Sequence, residues 1–190
     1  MAEPAAGQGA PPAQPGADRE WLAAAIRLSE RCPPSKSAFS VGALLVHASG
    51  HVLATGYSRE TSLGDHAEEI ALRRAVAAEL AESKLSEATL AEAAVAEAAV
   101  AEAMPREATL GDATLYSSLE PCLHRKSRPT PCAELIFAAG VRRIVIAWRE
   151  PPLFVQGGGA TWLASRGVTV VELPELAPAA MAVNKHLLNR

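Results

Sequence analysis

His66-Ala67-Glu68 and, further along, Pro121-Cys122 with Cys132 ten positions later are the stretches on which the reading of this chain turns. One imidazole and two thiolates are three of the four ligands of a tetrahedral zinc, and a fourth position left open separates a catalytic zinc from a structural one. Glu68, two residues after the histidine, is a carboxylate suited to moving protons for a zinc-bound water without being a ligand itself. Either motif alone occurs by chance in many sequences. Together, with a strand leading into Pro121 and helices opening at His66 and Cys132, they become specific. A structural zinc would want a fourth protein ligand, and His124, two residues from Cys122, is poorly spaced for joint ligation.

Outward from these residues the hydrophobic pattern supplies the scaffold. Asp18 reads as an N-cap for a helix with Trp21, Leu22, Ala25, Ile26 and Leu28 on one face, ended by Pro33-Pro34. Val41–Val46 and Val52–Tyr57 read as strands joined by a turn at Ser49-Gly50. Asp65 reads as the cap of a helix from about His66 toward Leu80. Thr114–Leu119 is the next strand, and Cys132 opens a helix that Gly140 stops. A strand over Val141–Trp148, a helix near Ala160–Arg166, a strand over Val168–Leu173 and a last helix through Met181–Leu188 follow. This alternation predicts an α/β protein with a mixed sheet covered by helices on both faces.

Two segments stand outside that pattern. Residues 1–17 are Ala, Gly, Pro and Gln with little to bury, so a disordered tail is expected before a domain over 18–190. Residues about 84–110 carry a five-residue repeat, Ala-Glu-Ala-Ala-Val twice and then Ala-Glu-Ala-Met-Pro. A five-residue step advances ~140° beyond a full turn, so its Val and Leu positions spiral around a helix instead of forming one stripe. A tolerated surface insertion is expected, with a subunit contact or substrate lid as the alternatives.

The net charge of −3 gives no general attraction to nucleic acid. Three cysteines cannot all pair, and no apolar run follows a basic start, so a secreted disulfide scaffold is not indicated. The apolar stretches are too short or too rich in alanine to span a bilayer. A reducing cytoplasm suits Cys122 and Cys132 as metal ligands. His-x-Glu followed by Pro-Cys and a second Cys is the signature of zinc deaminases acting on bases.

The run Tyr116-Ser-Ser-Leu-Glu-Pro-Cys-Leu-His-Arg-Lys-Ser-Arg-Pro-Thr-Pro-Cys132 resembles the pyrimidine deaminase of the bacterial riboflavin pathway, which carries Thr-Leu-Glu-Pro-Cys-Ser-His, a basic residue and Thr-Pro-Pro-Cys. The likeness extends through Ala138–Ala147, Glu150-Pro151, the glycines 157–159, Leu163–Val170 and Asn184-Lys185, and upstream includes Val41-Gly42-Ala43 and His66-Ala67-Glu68. It implies the cytidine-deaminase-like three-layer α/β/α sandwich, one zinc per chain on His66, Cys122 and Cys132, and Glu68 as proton shuttle. It also implies His124 and Arg128 as substrate contacts. No reductase domain, often fused to this deaminase, is expected within residues 1–190. Where that family has an Asn and a His that handle substrate, this chain has Ala38 and Ser58, and its loop between the cysteines is one residue longer.

The expected activity is hydrolytic deamination of an aminopyrimidine nucleotide. Lys126, with Arg125 and Arg128, offers a phosphate clamp, and the alternative for these cations is a solvated basic loop. Ser37-Ala-Phe-Ser-Val-Gly-Ala43 is similar to the cytidine deaminases, where a Phe lies against the base, so Phe39 and Ser58 join the expected substrate contacts. A cytidine, deoxycytidylate or free-base (pyrimidine, triazine or purine) deaminase is therefore the second reading. A non-catalytic zinc module is the third, though it would have no use for Glu68. A small-molecule substrate, a homodimer and no membrane or nucleic-acid partner complete the expectation.

Overall fold

A computed structural model describes residues 15–85, 110–151, 153 and 157–188. In chain order the elements are α1 (Pro15–Ser29), β1 (Gly42–His47), β2 (Val52–Tyr57), α2 (Ala67–Leu85), β3 (Ala113–Ser117), α3 (Cys132–Ala138), β4 (Arg143–Ile146), α4 (Gly159–Ala164), β5 (Thr169–Glu172), a 3₁₀ turn at Pro174–Leu176, α5 (Ala177–Val183) and α6 (Lys185–Leu188). The expected insertion, apart from residues 84, 85 and 110, lies outside the described residues, as does the expected tail up to residue 14. Residues 15–17 belong to α1, so the helix begins before Asp18.

The strands form one sheet in the order β2-β1-β3-β4-β5. β1 is antiparallel to β2 and to β3, whereas β3, β4 and β5 run parallel. Side chains alternate across the sheet, as a period of two demands. Ala43, Leu45, Leu115, Ile144 and Ile146 face one core with α2, α3 and α4. Leu44, Val46, Tyr116 and Val145 face a second core beneath α1 and α5. Each large apolar side chain fully withdrawn from water contributes ~1.5–3 kcal/mol, which makes the three-layer α/β/α sandwich the stable solution for this pattern.

Two of the expected caps have other duties. Asp18 lies inside the first turn of α1, where its Oδ1 accepts from Tyr116 Oη at 2.8 Å and Arg143 Nη1 at 2.9 Å, and its Oδ2 from Arg143 Nη2 at 2.8 Å. It is 2% exposed, as is Arg143, so this ion pair pins α1 across β3 and β4. Asp65 does not cap α2. Its carboxylate closes the preceding loop by accepting from the amides and hydroxyls of Thr61 and Ser62 at 2.6–3.0 Å. The His66 carbonyl instead accepts the first helical bond, from the Ile70 amide at 3.1 Å. Gly56 lets α2 start directly on β2, since a Cβ there would stand 2.5 Å from the Ala67 carbonyl oxygen. His66 is thereby set at the edge of the sheet.

Candidate active site

β3 ends at Ser117 and the chain passes through Pro121 to Cys122. Cys132 then opens α3, and His66 precedes α2. Three elements therefore converge on one point. His66 Nδ1 stands 3.5 Å from Cys122 Sγ and 3.5 Å from Cys132 Sγ, and the Cys132 amide donates to Cys122 Sγ at 3.3 Å. All three ligand atoms lie within 4.8 Å of one another. A tetrahedral zinc with Zn–N near 2.0 Å and Zn–S near 2.3 Å separates its nitrogen and sulfur ligands by about 3.5 Å, so the donor set fits that ion in type and in spacing.

The thiol pair is polarised. Cys122 is pulled down to about 4, chiefly by the hydrogen bond from Cys132 and then by His66, despite burial. Cys132, the donor in that bond and buried, is raised. Burial alone would lower the His66 imidazole, but the hydrogen bond and charge of Cys122 outweigh it and raise it.

Glu68 is 3% exposed on the first turn of α2, and its Oε1 accepts from Ser117 Oγ at 3.0 Å. Burial raises its pKa, with His66 acting in the opposite direction. The carboxylate thus reaches the side of His66 and Cys122 even though positions 66 and 68 diverge on an ideal helix. Both residues line a cavity of about 440 Å³.

Of the expected substrate contacts, Phe39, Ser58, His124 and Lys126 line this cavity. Phe39 is buried edge-on against Trp148, with centroids 5.4 Å apart, and Ser58 Oγ accepts from the Val41 amide at 3.2 Å. Arg128 stands elsewhere. Its Nη2 donates to Asp65 Oδ1 at 2.9 Å, its Nε lies 2.9 Å from Glu69 Oε1, and it is not among the cavity-lining residues. Arg125 donates to Glu69 Oε2 at 2.7 Å and approaches Cys132 Sγ at 3.9 Å. Glu69, 1% exposed, also binds Arg73 at 2.5 Å. Two cations of the expected clamp therefore fasten the loop between the cysteines to α2.

Three further residues lie in stretches that carry the resemblance but are not among the expected site residues. Ser117 orients Glu68. Glu120, buried beside Cys122, accepts from the amides of Glu150, Gly158 and Ala160 at 3.0–3.2 Å and so fixes the loop after β4. Glu150 lines the cavity with a buried Oε2 that has no hydrogen-bond partner among the described residues. Burial first, then the charges of Cys122, Glu68 and Glu120, push it up to about 8.

Residues 15–148 match the family described as the cytidine and deoxycytidylate deaminase zinc-binding region. A diaminohydroxyphosphoribosylamino-pyrimidine deaminase of Schizosaccharomyces pombe is 29% identical over 153 residues, covering 80% of this chain and 31% of that protein. The structure of Acinetobacter baumannii RibD is similar with a TM-score of 0.66 and 27% identity, covering 92% of this chain and 40% of that one. The Aspergillus oryzae Rib2 deaminase, a C-terminal deletion mutant at pH 4.6, gives a TM-score of 0.61 and 25% identity over 90% of this chain and 98% of that one. The chain thus spans under half the length of the first two.

Proposed function

Because the chain belongs to the cytidine and deoxycytidylate deaminase zinc-binding family, we propose that it is a zinc-dependent hydrolytic deaminase of an aminopyrimidine nucleotide, of the kind named for its fission-yeast relative. The observation that carries this reading is the buried Glu68 carboxylate beside a three-ligand cluster at the wall of a cavity. A non-catalytic zinc module would leave that carboxylate without a task.

His66, Cys122 and Cys132 would hold one zinc per chain. Zinc bound there lowers the pKa of water from ~15.7 to about 7 and so supplies hydroxide near neutral pH. Glu68, with Oε1 held by Ser117, takes a proton at Oε2 and returns it to the ring nitrogen. It then passes a second proton to the exocyclic amine. Water adds at the amino-bearing ring carbon, the C–N bond breaks, ammonia leaves and the carbon keeps the oxygen as an oxo group. A raised carboxyl pKa suits a group that must both accept and donate near neutrality. Glu150 Oε2, an unengaged acceptor or, when protonated, a donor, is positioned to read a polar edge of the ring. Lys126 and His124 at the cavity wall are groups available to a phosphate, beside Arg125, whose Nη1 donates to Glu69.

Ammonia release from a panel of amino-pyrimidine bases, nucleosides and nucleotides tests the reading, and turnover of none of them by zinc-loaded protein would sink it. The second reading, a cytidine, deoxycytidylate or free-base deaminase, is favoured by Ala38 in the cavity wall, where no polar side chain is offered. Preference for an unphosphorylated substrate would select it. No described helix is long and apolar enough to cross a membrane. A cytoplasmic homodimer belongs to the same proposal, and light scattering checks the dimer.

A further inference from the structure

Arg59 is a non-glycine residue at φ 61°, and it is 6% exposed. A left-handed backbone is costly for a residue with a long side chain and persists only where the surroundings over-determine it. Here its side chain explains the conformation. Nε and Nη2 both donate to the Pro33 carbonyl, at 3.0 and 2.8 Å. Nη1 donates to the Phe39 carbonyl at 2.9 Å and Nη2 also to Ser40 Oγ at 3.0 Å. Its own amide donates to the Asp65 carbonyl at 3.0 Å.

The guanidinium therefore ties residues 33–40, which include Ser37, Ala38 and Phe39 of the cavity wall, to the 59–65 loop that carries Leu63 and Gly64 of the same cavity. From the other side Asn184 grips Ser40, accepting from its amide at 2.7 Å and donating to its carbonyl at 3.0 Å. Among the described residues no carboxylate forms an ion pair with Arg59. A buried guanidinium held only by carbonyls and a hydroxyl is a poor stabilising device compared with an ion pair, so its geometry, a planar fork spanning two turns of one loop, is what a Lys could not reproduce.

We propose that Arg59 is the positioning residue of the substrate-side wall: its fork sets where Ala38 and Phe39 stand, and through them how tightly the cavity holds its ligand. It takes no part in proton transfer. The inference rests on the deaminase reading of this cavity and adds a determinant of substrate grip that no ligand or shuttle residue supplies.

The test uses the full zinc-loaded chain and the variants Arg59→Lys and Arg59→Met. Hydrogen–deuterium exchange, zinc content, kcat and KM are read together. Losing two or more hydrogen bonds to the wall should raise KM about tenfold or more in Arg59→Met and less in Arg59→Lys. kcat should stay within about twofold, because a wall that touches ground and transition states alike changes binding uniformly. Exchange of the 33–41 amides should quicken while zinc content and exchange elsewhere hold. If Arg59→Met does not fold, Arg59→Lys decides. A fall in kcat at unchanged KM, a loss of zinc, or unchanged exchange over 33–41 would each overturn the proposal. If wild-type protein turns over nothing on the panel, the deaminase reading is what fails, and the exchange of 33–41 in Arg59→Lys still decides the role of Arg59.

Discussion

Two buried clusters, one beneath α1 and one at the cavity, treat charge in opposite ways. Beneath α1, Asp18 has both oxygens taken by Arg143 and Tyr116, and all three groups are at most 4% exposed. Burial and the bond to Asp18 raise the Tyr116 pKa, so the phenol keeps its proton and remains a donor. At the cavity, Glu68 has one oxygen held by Ser117, Glu150 has a buried oxygen without a partner among the described residues, and burial raises both. The first arrangement is closed and can only hold. The second keeps proton-carrying atoms available at a cavity, which stability alone does not require. The contrast separates a lock from a reaction site without reference to any motif.

The sharpest way to break that contrast is to neutralise one carboxylate in each cluster. Glu68→Gln should lower turnover ~10²–10⁴-fold, toward the upper end because several proton transfers depend on it. Its zinc content and unfolding midpoint should stay near wild type, and near-normal turnover would remove Glu68 from the mechanism. Asp18→Ala should do the reverse. It leaves Arg143 buried and unpaired, a change that costs ~3–5 kcal/mol, read as a fall in the denaturant midpoint. Zinc binding by the fraction that folds should be unchanged.

Glu150→Gln sharpens the comparison through pH. A carboxyl whose folded pKa is raised favours folding while protonated, and that contribution is lost as pH rises from its unfolded value of 4.5 through about 8. The variant cannot ionise, so its melting temperature should match wild type near pH 4.5 and exceed it increasingly up to pH 8. A constant difference across that range would show that Glu150 carries no buried charge. The smallest effect is expected from Arg128→Ala. Its side chain is 34% exposed and paired to Asp65 and Glu69, so ~1 kcal/mol or less of stability is at stake. Its effect on KM should be similar for phosphorylated and unphosphorylated substrates, whereas Lys126→Ala should weaken the phosphorylated one selectively.

What can be read from the sequence is whatever is local. β2 has the bounds read from the turn at Ser49-Gly50 and the apolar run after it, Gly140 at φ 77° follows α3, and Cys132 opens that helix as expected. The His66, Cys122 and Cys132 cluster is legible because residue type restricts candidate metal ligands so strongly. The cap expected at Asp18 fails because its true partners are 98 and 125 positions away. The carboxylate partners of Arg125 and Arg128, 56 and 63 positions distant, are not legible either, and Arg125 lines the cavity while paired. Glu69 follows Glu68 directly, yet one faces three arginines and the other the cavity. Propensity and spacing carry no information on such pairings, which only the packed fold decides.

α2 has 19 residues, and at 1.5 Å per residue it carries the chain about 28 Å away from His66. The chain re-enters at Leu110 and joins β3 at Ala113, the end of that strand opposite to the one leading to Cys122. The end of α2 and the start of β3 therefore both lie remote from His66 and Cys122. A fluorophore attached at the exposed Asp112, just before β3, would therefore report from the end of the sheet opposite to the His/Cys/Cys cluster, which makes that end the natural handle for engineering this protein.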